Sequence, residues 1–299
     1  MNNFVLSCKK LKAKPAIHFT GGDPLIRKDF FKLLEECKKR KILVTVLGNS
    51  YLITEKTALR LKKLGVARYQ LSLDGLEKTH DYLRKKGSFK DAFRAYKILN
   101  KAGIKTICMF TLSKVNAKEL IPVIHKIHGL IDIFGFARIV PEGNAKELKK
   151  QMLTPIEYKK LLLKVQKVYE KLDGKTKTKY SRKDHLFKLL EWEQGKRKIN
   201  LKTKIVEDGC GAGITHLAIL ADGTILVCRR MPIILGNALK DNIADVFLNS
   251  TKLNEIRKIE KMEKCKKCEL LRYCRGCPAV AYASTGNWNS PDPQCWKVI

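Results

Sequence analysis

Seven of the ten cysteines in this 299-residue chain fall between positions 210 and 295: Cys210, Cys228, Cys265, Cys268, Cys274, Cys277 and Cys295. The run Cys265-x2-Cys268-x5-Cys274-x2-Cys277 crowds four soft ligands into thirteen residues, so this region must fold around whatever its thiols bind or join. Met1 is followed by "NNFVLSCKKLKAKP", which lacks both the long apolar middle and the small-residue cleavage site of a secretory signal. The chain therefore reads as cytoplasmic, where thiols stay reduced, and metal binding outweighs disulfides. Thiolates at these spacings hold zinc or iron-sulfur clusters, and two zinc-ribbon sites satisfy the local spacing as well as clusters do. Seven ligands suit one closed site and one open site. An open position is of more use to a cluster that touches substrate than to a structural zinc. Cys8, Cys37 and Cys108 stand alone.

The first half has a different pattern. Short β-rich runs at 16–20, 42–47, 68–73, 105–112 and 132–140 alternate with helical periodicity over 27–40, 54–64, 88–102 and 117–128. Near-continuous apolar strands separated by amphipathic helices predict a parallel sheet or barrel with helices covering it. Residues 151–205 read as a charged helical connection, broken by the polar stretch "GKTKTKYSRK". From 206 onward hairpins and cysteine-bearing loops take over, and "THLAILADGTILVC" reads as two strands joined at Asp222-Gly223. The expected organisation is thus 1–150, 151–205 and 206–299. No run of eighteen apolar residues exists, so no membrane span is expected.

With 61 Lys plus Arg against 29 Asp plus Glu, the chain carries a formal +32. Such a charge attracts RNA, acidic peptides or anionic lipid. The lysines are spread over every segment instead of forming one patch, so they read chiefly as solvated helix faces.

Three features taken together resemble a known family: the loop "TGGDPL", the segment "LSLDGLEKTHDYLRKKGSF", and the order Cys-x12-Gly-x4-Cys, Cys-x2-Cys-x5-Cys, Cys, Cys. From about residue 10 to 299 the chain resembles radical S-adenosylmethionine (radical SAM) enzymes with a C-terminal SPASM domain. The wording "IHFTGGDPL", "VLGN", "ARIVPEGN" and "YCRGCPAVAY" with "SPDPQCW" is similar to maturases of ribosomally made peptides, nearest to the thio(seleno)oxazole-modification type.

This resemblance implies an α/β fold: a partial (β/α)6 barrel, then a small cysteine-rich domain with a β-hairpin and short helices. It places Gly21, Gly22 and the Asp23 region against the methionine amine of S-adenosylmethionine, Ser72 and Asp74 on its ribose and polar edge, and Arg84 on its carboxylate. The plainer reading of the same residues is that Ser72 and Asp74 cap a turn and Arg84 is a surface charge. Asn116 and Arg138 are weaker candidates for that pocket. The resemblance further assigns Cys265, Cys268, Cys274 and Cys295 to a closed auxiliary [4Fe-4S] cluster, and Cys210, Cys228 and Cys277 to an open one. His216 is a candidate fourth ligand there, with a packed core histidine as the plainer reading. Two departures stand out: the last two loop cysteines are separated by x2 where the family has x3, and the cysteine that some relatives carry shortly before Cys210 is absent. No catalytic residue is assigned.

Radical SAM enzymes also hold a third cluster on Cys-x3-Cys-x2-Cys upstream of the glycine turn, and nothing before Gly21 has that spacing. The expectation is a chain begun at an internal methionine of a longer gene, with the first strand and cluster loop missing and "FVLSCKKLKAKP" as the tail of the first helix. A natural variant without radical chemistry is the alternative. Five parallel strands, an unprotected edge at "AIHFT", and no reductive cleavage of the cofactor by these residues alone follow from this.

The leading function is peptide modification through a 5′-deoxyadenosyl radical, with a small ribosomal peptide, cysteine-bearing ones included, as partner and ferredoxin or flavodoxin as electron donor. Alternatives are a radical enzyme acting on RNA or another protein, and a noncatalytic iron-sulfur or zinc protein. Gly174-Lys175-Thr176 lacks the first glycine of a phosphate loop, and His125-x2-His128 reads as an exposed helix end.

Overall fold

The computed structural model describes residues 1–297. The chain packs as two units, one formed by Met1–Ala137 and Val165–Ser181, the other by Arg138–Lys164 and Arg182–Ile299.

The first unit opens with helix α1 (Asn2–Lys10) and then repeats strand and helix: β1 (Ala16–Phe19), α2 (Phe30–Lys39), β2 (Leu43–Leu47), α3 (Glu55–Lys63), β3 (Val66–Ser72), α4 (Glu77–Leu83), α5 (Ser88–Lys101), β4 (Lys105–Leu112), α6 (Leu120–Ile127) and β5 (Ile133–Arg138). The strands lie in sequence order in one six-stranded sheet, and the β1–β2, β2–β3, β3–β4 and β5–β6 pairs are parallel, β6 being Lys179–Tyr180. The cause is visible in the residues. Val44, Val46, Tyr69, Leu71, Cys108, Phe110, Leu112 and Phe134 are buried strand positions, and α5 turns Phe89, Ala92, Ala95, Tyr96 and Leu99 inward at helical spacing. Thr54 starts α3 by accepting the Thr57 N–H at 3.1 Å.

The sheet corrects two expectations. It has six strands, not five, and the sixth comes from "GKTKTKYSRK", the stretch read as an exposed connection. Lysine-rich and two residues long, β6 has no apolar periodicity to announce it. One buried side chain anchors it: the Tyr180 ring stacks on Tyr169 at 4.7 Å and its hydroxyl meets His128 Nδ1 at 2.6 Å. That contact also gives His128 a structural partner. The helix expected over 27–40 starts later, because Asp23 and Pro24 first form a single 3-10 turn over Pro24–Ile26.

The second unit contains α8 (Leu186–Glu193), an antiparallel sheet of β7 (Ala218–Ile219), β8 (Thr224–Cys228) and β9 (Met231–Asn237), and helices α9 (Ile243–Asn249), α10 (Thr251–Arg257) and α11 (Pro278–Thr285). Helix α7 (Pro155–Leu172) contributes residues to both units. Asp222-Gly223 closes the β7–β8 hairpin as its composition predicts, with the Asp222 carboxylate accepting the Thr224 N–H at 2.9 Å. The apolar centre of this unit is Val140, Ala212, Val227, Met231, Leu253, Ala279 and Val280. Among the described residues no helix is long and apolar enough to cross a membrane.

Candidate functional site

In the first unit the candidate residues follow the C-terminal ends of β1 and β3, the edge where parallel α/β sheets build their sites. Gly21 has φ +136°, and a Cβ placed on Gly21 or Gly22 meets no atom within 4 Å, so the backbone borders open space. Asp23 is buried, and both its oxygens are engaged: Oδ1 accepts the Leu25 N–H at 3.0 Å and Oδ2 the Asn49 N–H at 3.2 Å. Its carboxylate ties the loop after β1 to the loop after β2.

Ser72 is the half-buried last residue of β3. Two residues on, Asp74 is buried and accepts the Thr111 N–H at 2.7 Å on one oxygen and the Arg84 guanidinium at 2.6 Å on the other. Asp74 and Arg84 are thus brought together as an ion pair. The Arg84 side chain stays 38% exposed, which leaves N–H groups for an anion.

Around this pair lie two residues that sequence reasoning passed over, His80 and Glu119, and one weaker candidate, Asn116. The Asp74 N–H donates to His80 Nδ1 at 3.0 Å, and burial holds the His80 imidazole below its ordinary pKa, in the neutral form that accepts this bond. Glu119 accepts the Leu76 N–H and the Thr79 hydroxyl, each at 2.7 Å. Asn116 is buried and spends its amide on the Asp74 and Thr111 carbonyls at 2.9 Å each and on the Ser113 N–H, so it stitches loops together. Arg138, the last residue of β5 and the first of the second unit, is bonded to Asp184 and Asp292 at 2.8 Å and to Gln294 at 3.1 Å.

The seven clustered thiols of the second unit separate into two groups. Cys265, Cys268, Cys274 and Cys295 line one cavity together with Leu189, Leu270 and Asp292. Cys265 opens a 3-10 turn that Cys268 caps, and the Cys274 sulfur accepts the Gly276 N–H at 3.4 Å. The chain reverses between Cys274 and Cys277 through Arg275 and Gly276, at φ +67° and +61°; a Cβ on Gly276 would come 2.4 Å from that of Asp292. Cys210, Cys228 and Cys277 instead pack on the apolar cluster around Val227 and Ala279.

Asp292 touches both groups, lining the cavity of the first and accepting the Cys277 N–H at 2.8 Å. Burial pushes the Cys265 thiol up to about 12 and the Cys210 thiol up to about 11, so metal binding here must displace protons. Among the described residues no three His, Cys, Asp or Glu side chains converge closely enough to hold a single ion. Four cysteines that line one cavity, and three that pack on an apolar cluster, are the all-thiolate donor sets that iron-sulfur clusters take.

His216 is exposed, next to Gly211 and Thr215, not a packed core histidine. Cys37 and Cys108 are buried core thiols of the first unit, pushed up by burial to about 11 and about 12.

Residues 4–127 match the radical SAM superfamily model, and residues 210–278 match the model of the SPASM iron-sulfur cluster-binding domain. The chain thus carries a radical SAM domain followed by a SPASM iron-sulfur cluster-binding domain.

An AdoMet-dependent heme synthase of Methanosarcina barkeri is 26% identical over 94% of this chain and 82% of its own length. The sporulation killing factor maturation protein SkfB of Bacillus subtilis is 26% identical over 81% of this chain and 56% of its own. Streptococcus suis SuiB shares the fold at a TM-score of 0.77 and 22% identity, covering 99% of this chain and 70% of SuiB.

Proposed function

We propose that this chain binds S-adenosylmethionine through Gly21, Gly22, Asp23, Ser72, Asp74 and Arg84, holds two auxiliary [4Fe-4S] clusters on its two thiol groups, and serves the modification of a small ribosomally made peptide. The observation that carries this reading is the separation of seven thiols into four around a cavity and three against an apolar wall. SkfB and the mycofactocin maturase MftC of Mycobacterium tuberculosis, 26% identical over 93% of this chain, support a peptide substrate.

Cleaved by one electron from a reduced cluster, bound S-adenosylmethionine would supply the 5′-deoxyadenosyl radical that abstracts a hydrogen atom. The residues of the chain position and shield. The Gly21-Gly22 backbone leaves room for a ligand to lie against it, and the loops that follow β3 and β4 are fixed through Asp74, Thr111 and Asn116. The exposed edge of Arg84 offers donors to a carboxylate. Cys265, Cys268, Cys274 and Cys295 would hold one cluster with four thiolates, and Cys210, Cys228 and Cys277 would hold the other with three, which would leave room for a substrate thiol. The 299 residues contain no Cys-x3-Cys-x2-Cys, so the reading gives them binding and electron handling, not reductive cleavage of the cofactor. A ferredoxin or flavodoxin, both acidic carriers, suits the +32 charge as electron donor.

A tetrapyrrole substrate is the second reading, favoured by the heme synthase relatives. Equilibrium binding to the reconstituted protein separates the two. The peptide reading expects saturable binding of a cysteine-bearing peptide encoded beside the gene, strengthened by S-adenosylmethionine, and no specific binding of iron coproporphyrin. The reverse pattern overturns it.

A further inference from the structure

The connection between β8 and β9 is two residues long, Arg229 and Arg230, closed by the pairing of Cys228 with Met231. Two-residue hairpin turns favour Asn, Asp and Gly, because the strand twist asks for positive φ at the central residues. Neither arginine has a positive φ, and the strand register is irregular between Leu226 and Cys228, directly beside the turn. The backbone of the turn therefore makes no demand for arginine at either position.

Cys228 stands at the foot of that turn, with Cys210 and Cys277 against the same apolar cluster. Arg230 is within electrostatic range of Cys277, and Lys183 is within range of both arginines and of Cys210 and Cys228. Three cations therefore stand beside three thiols. Among the described residues no carboxylate forms an ion pair with any of the three, and three acids of the same unit are engaged elsewhere. Asp184 and Asp292 bind Arg138, and Asp208 binds Lys188 and Arg197. Three thiolates on a dipositive cubane sum to roughly one net negative charge, and a fourth, exogenous thiolate makes roughly two. Positive charge remains to be balanced even then.

We propose that Lys183, Arg229 and Arg230 form a carboxylate-binding rim on the Cys210, Cys228 and Cys277 site, selecting a substrate thiol that is carried next to a carboxylate, as in a C-terminal cysteine or a cysteine beside Asp or Glu. The thiol gives its proton to solvent and its sulfur to the open position while the carboxylate pairs with the guanidinium groups. This inference rests on the reading of the three-thiol site as one with an exchangeable position.

The test uses the full chain, reconstituted anaerobically with iron and sulfide, and two small probes with the same thiol: N-acetylcysteine and its neutral amide. Perturbation of the reduced cluster's electron paramagnetic resonance spectrum gives a dissociation constant for each. The acid should bind about tenfold more tightly than the amide, the scale of hydrogen bonds to a charged group. That preference should disappear in Arg229→Gln/Arg230→Gln. Should the hairpin variant fail to load iron, Lys183→Gln, which lies outside the hairpin, should reduce the same ratio. Cysteine dipeptides that carry the acid at the C-terminus or on a glutamate side chain then distinguish the two sources of the carboxylate. Equal binding of acid and amide overturns the rim and leaves the open site standing. A spectrum that neither thiol perturbs overturns the exchangeable position itself, and the rim with it.

Discussion

Asp292 shows how much one buried side chain is asked to do. Its carboxylate receives two hydrogen bonds from Arg138, one from the Cys277 N–H and one from the Gln294 N–H, with the side chain 1% exposed. The Arg138 guanidinium beside it holds the Asp292 carboxyl below the ordinary carboxylate range, against the opposing push of burial. Removing one partner of a buried pair strands the other charge. Asp292→Ala should therefore cost about 3 kcal/mol even with Asp184 still on Arg138, the lower end of what breaking such pairs costs. Urea unfolding measures this, and a loss below about 1 kcal/mol, the worth of a solvated pair, would contradict the burial argument.

His80 gives a pH dependence of definite sign. Its folded pKa lies below the unfolded value of about 6.5, so the unfolded chain takes up more protons in that range. The stability it contributes is present above pH 6.5 and is lost as pH falls through the folded pKa, when protonation removes the acceptor of the Asp74 N–H. Thermal melts between pH 7.5 and 5 should fall less steeply in His80→Gln, which keeps an acceptor and cannot titrate; identical slopes would contradict this.

At the scale of elements, what the sequence made legible is what local pattern encodes. The strands at 16–20, 42–47 and 105–112 were readable because apolar runs bounded by amphipathic helices have few other solutions, and Asp222-Gly223 announced its hairpin. Strand β6 was not readable, since its place depends on Tyr180 meeting Tyr169 and His128 after the chain has turned back through α7. Tyr180→Ala should accordingly cost about 3 kcal/mol, the scale of a buried aromatic truncation. It should also release amide protection in Phe134 and its neighbours on β5, read by hydrogen exchange; unchanged protection there would mean that β6 is held by backbone bonds alone.

The candidate sites divide in the same way. Gly21, Gly22 and the paired Cys-x2-Cys units stand out because each is a contiguous pattern. Glu119 is 43 residues from the Leu76 N–H it satisfies, and Asp292 is 154 from Arg138, so no spacing rule points to either. The Arg229-Arg230 turn was visible in the sequence but silent, because its meaning lies in the thiols around it.

At the scale of the whole molecule, the two units carry different kinds of order. The first rests on a parallel sheet with an apolar core, and its candidate residues lie in loops at the strand ends. In the second, an apolar centre and a buried Arg138, Asp184 and Asp292 network stand beside seven thiols that bonding to metal would pull into fixed positions. Folding and metal loading should be linked there, with apoprotein showing weaker protection over 206–297 than over 16–137 and gaining it on reconstitution. Equal protection of both regions in the apoprotein, measured by hydrogen exchange, would contradict the linkage.

If the two thiol groups are two separate cluster sites, the iron and acid-labile sulfide content of three anaerobically reconstituted proteins should divide accordingly. The unmodified chain should hold about eight irons and about eight sulfides, the content of two cubanes. Cys274→Ser and Cys277→Ser should each retain about half, with the two remaining spectra different from each other. Stoichiometric zinc without sulfide, or the loss of all iron in either single variant, would contradict it.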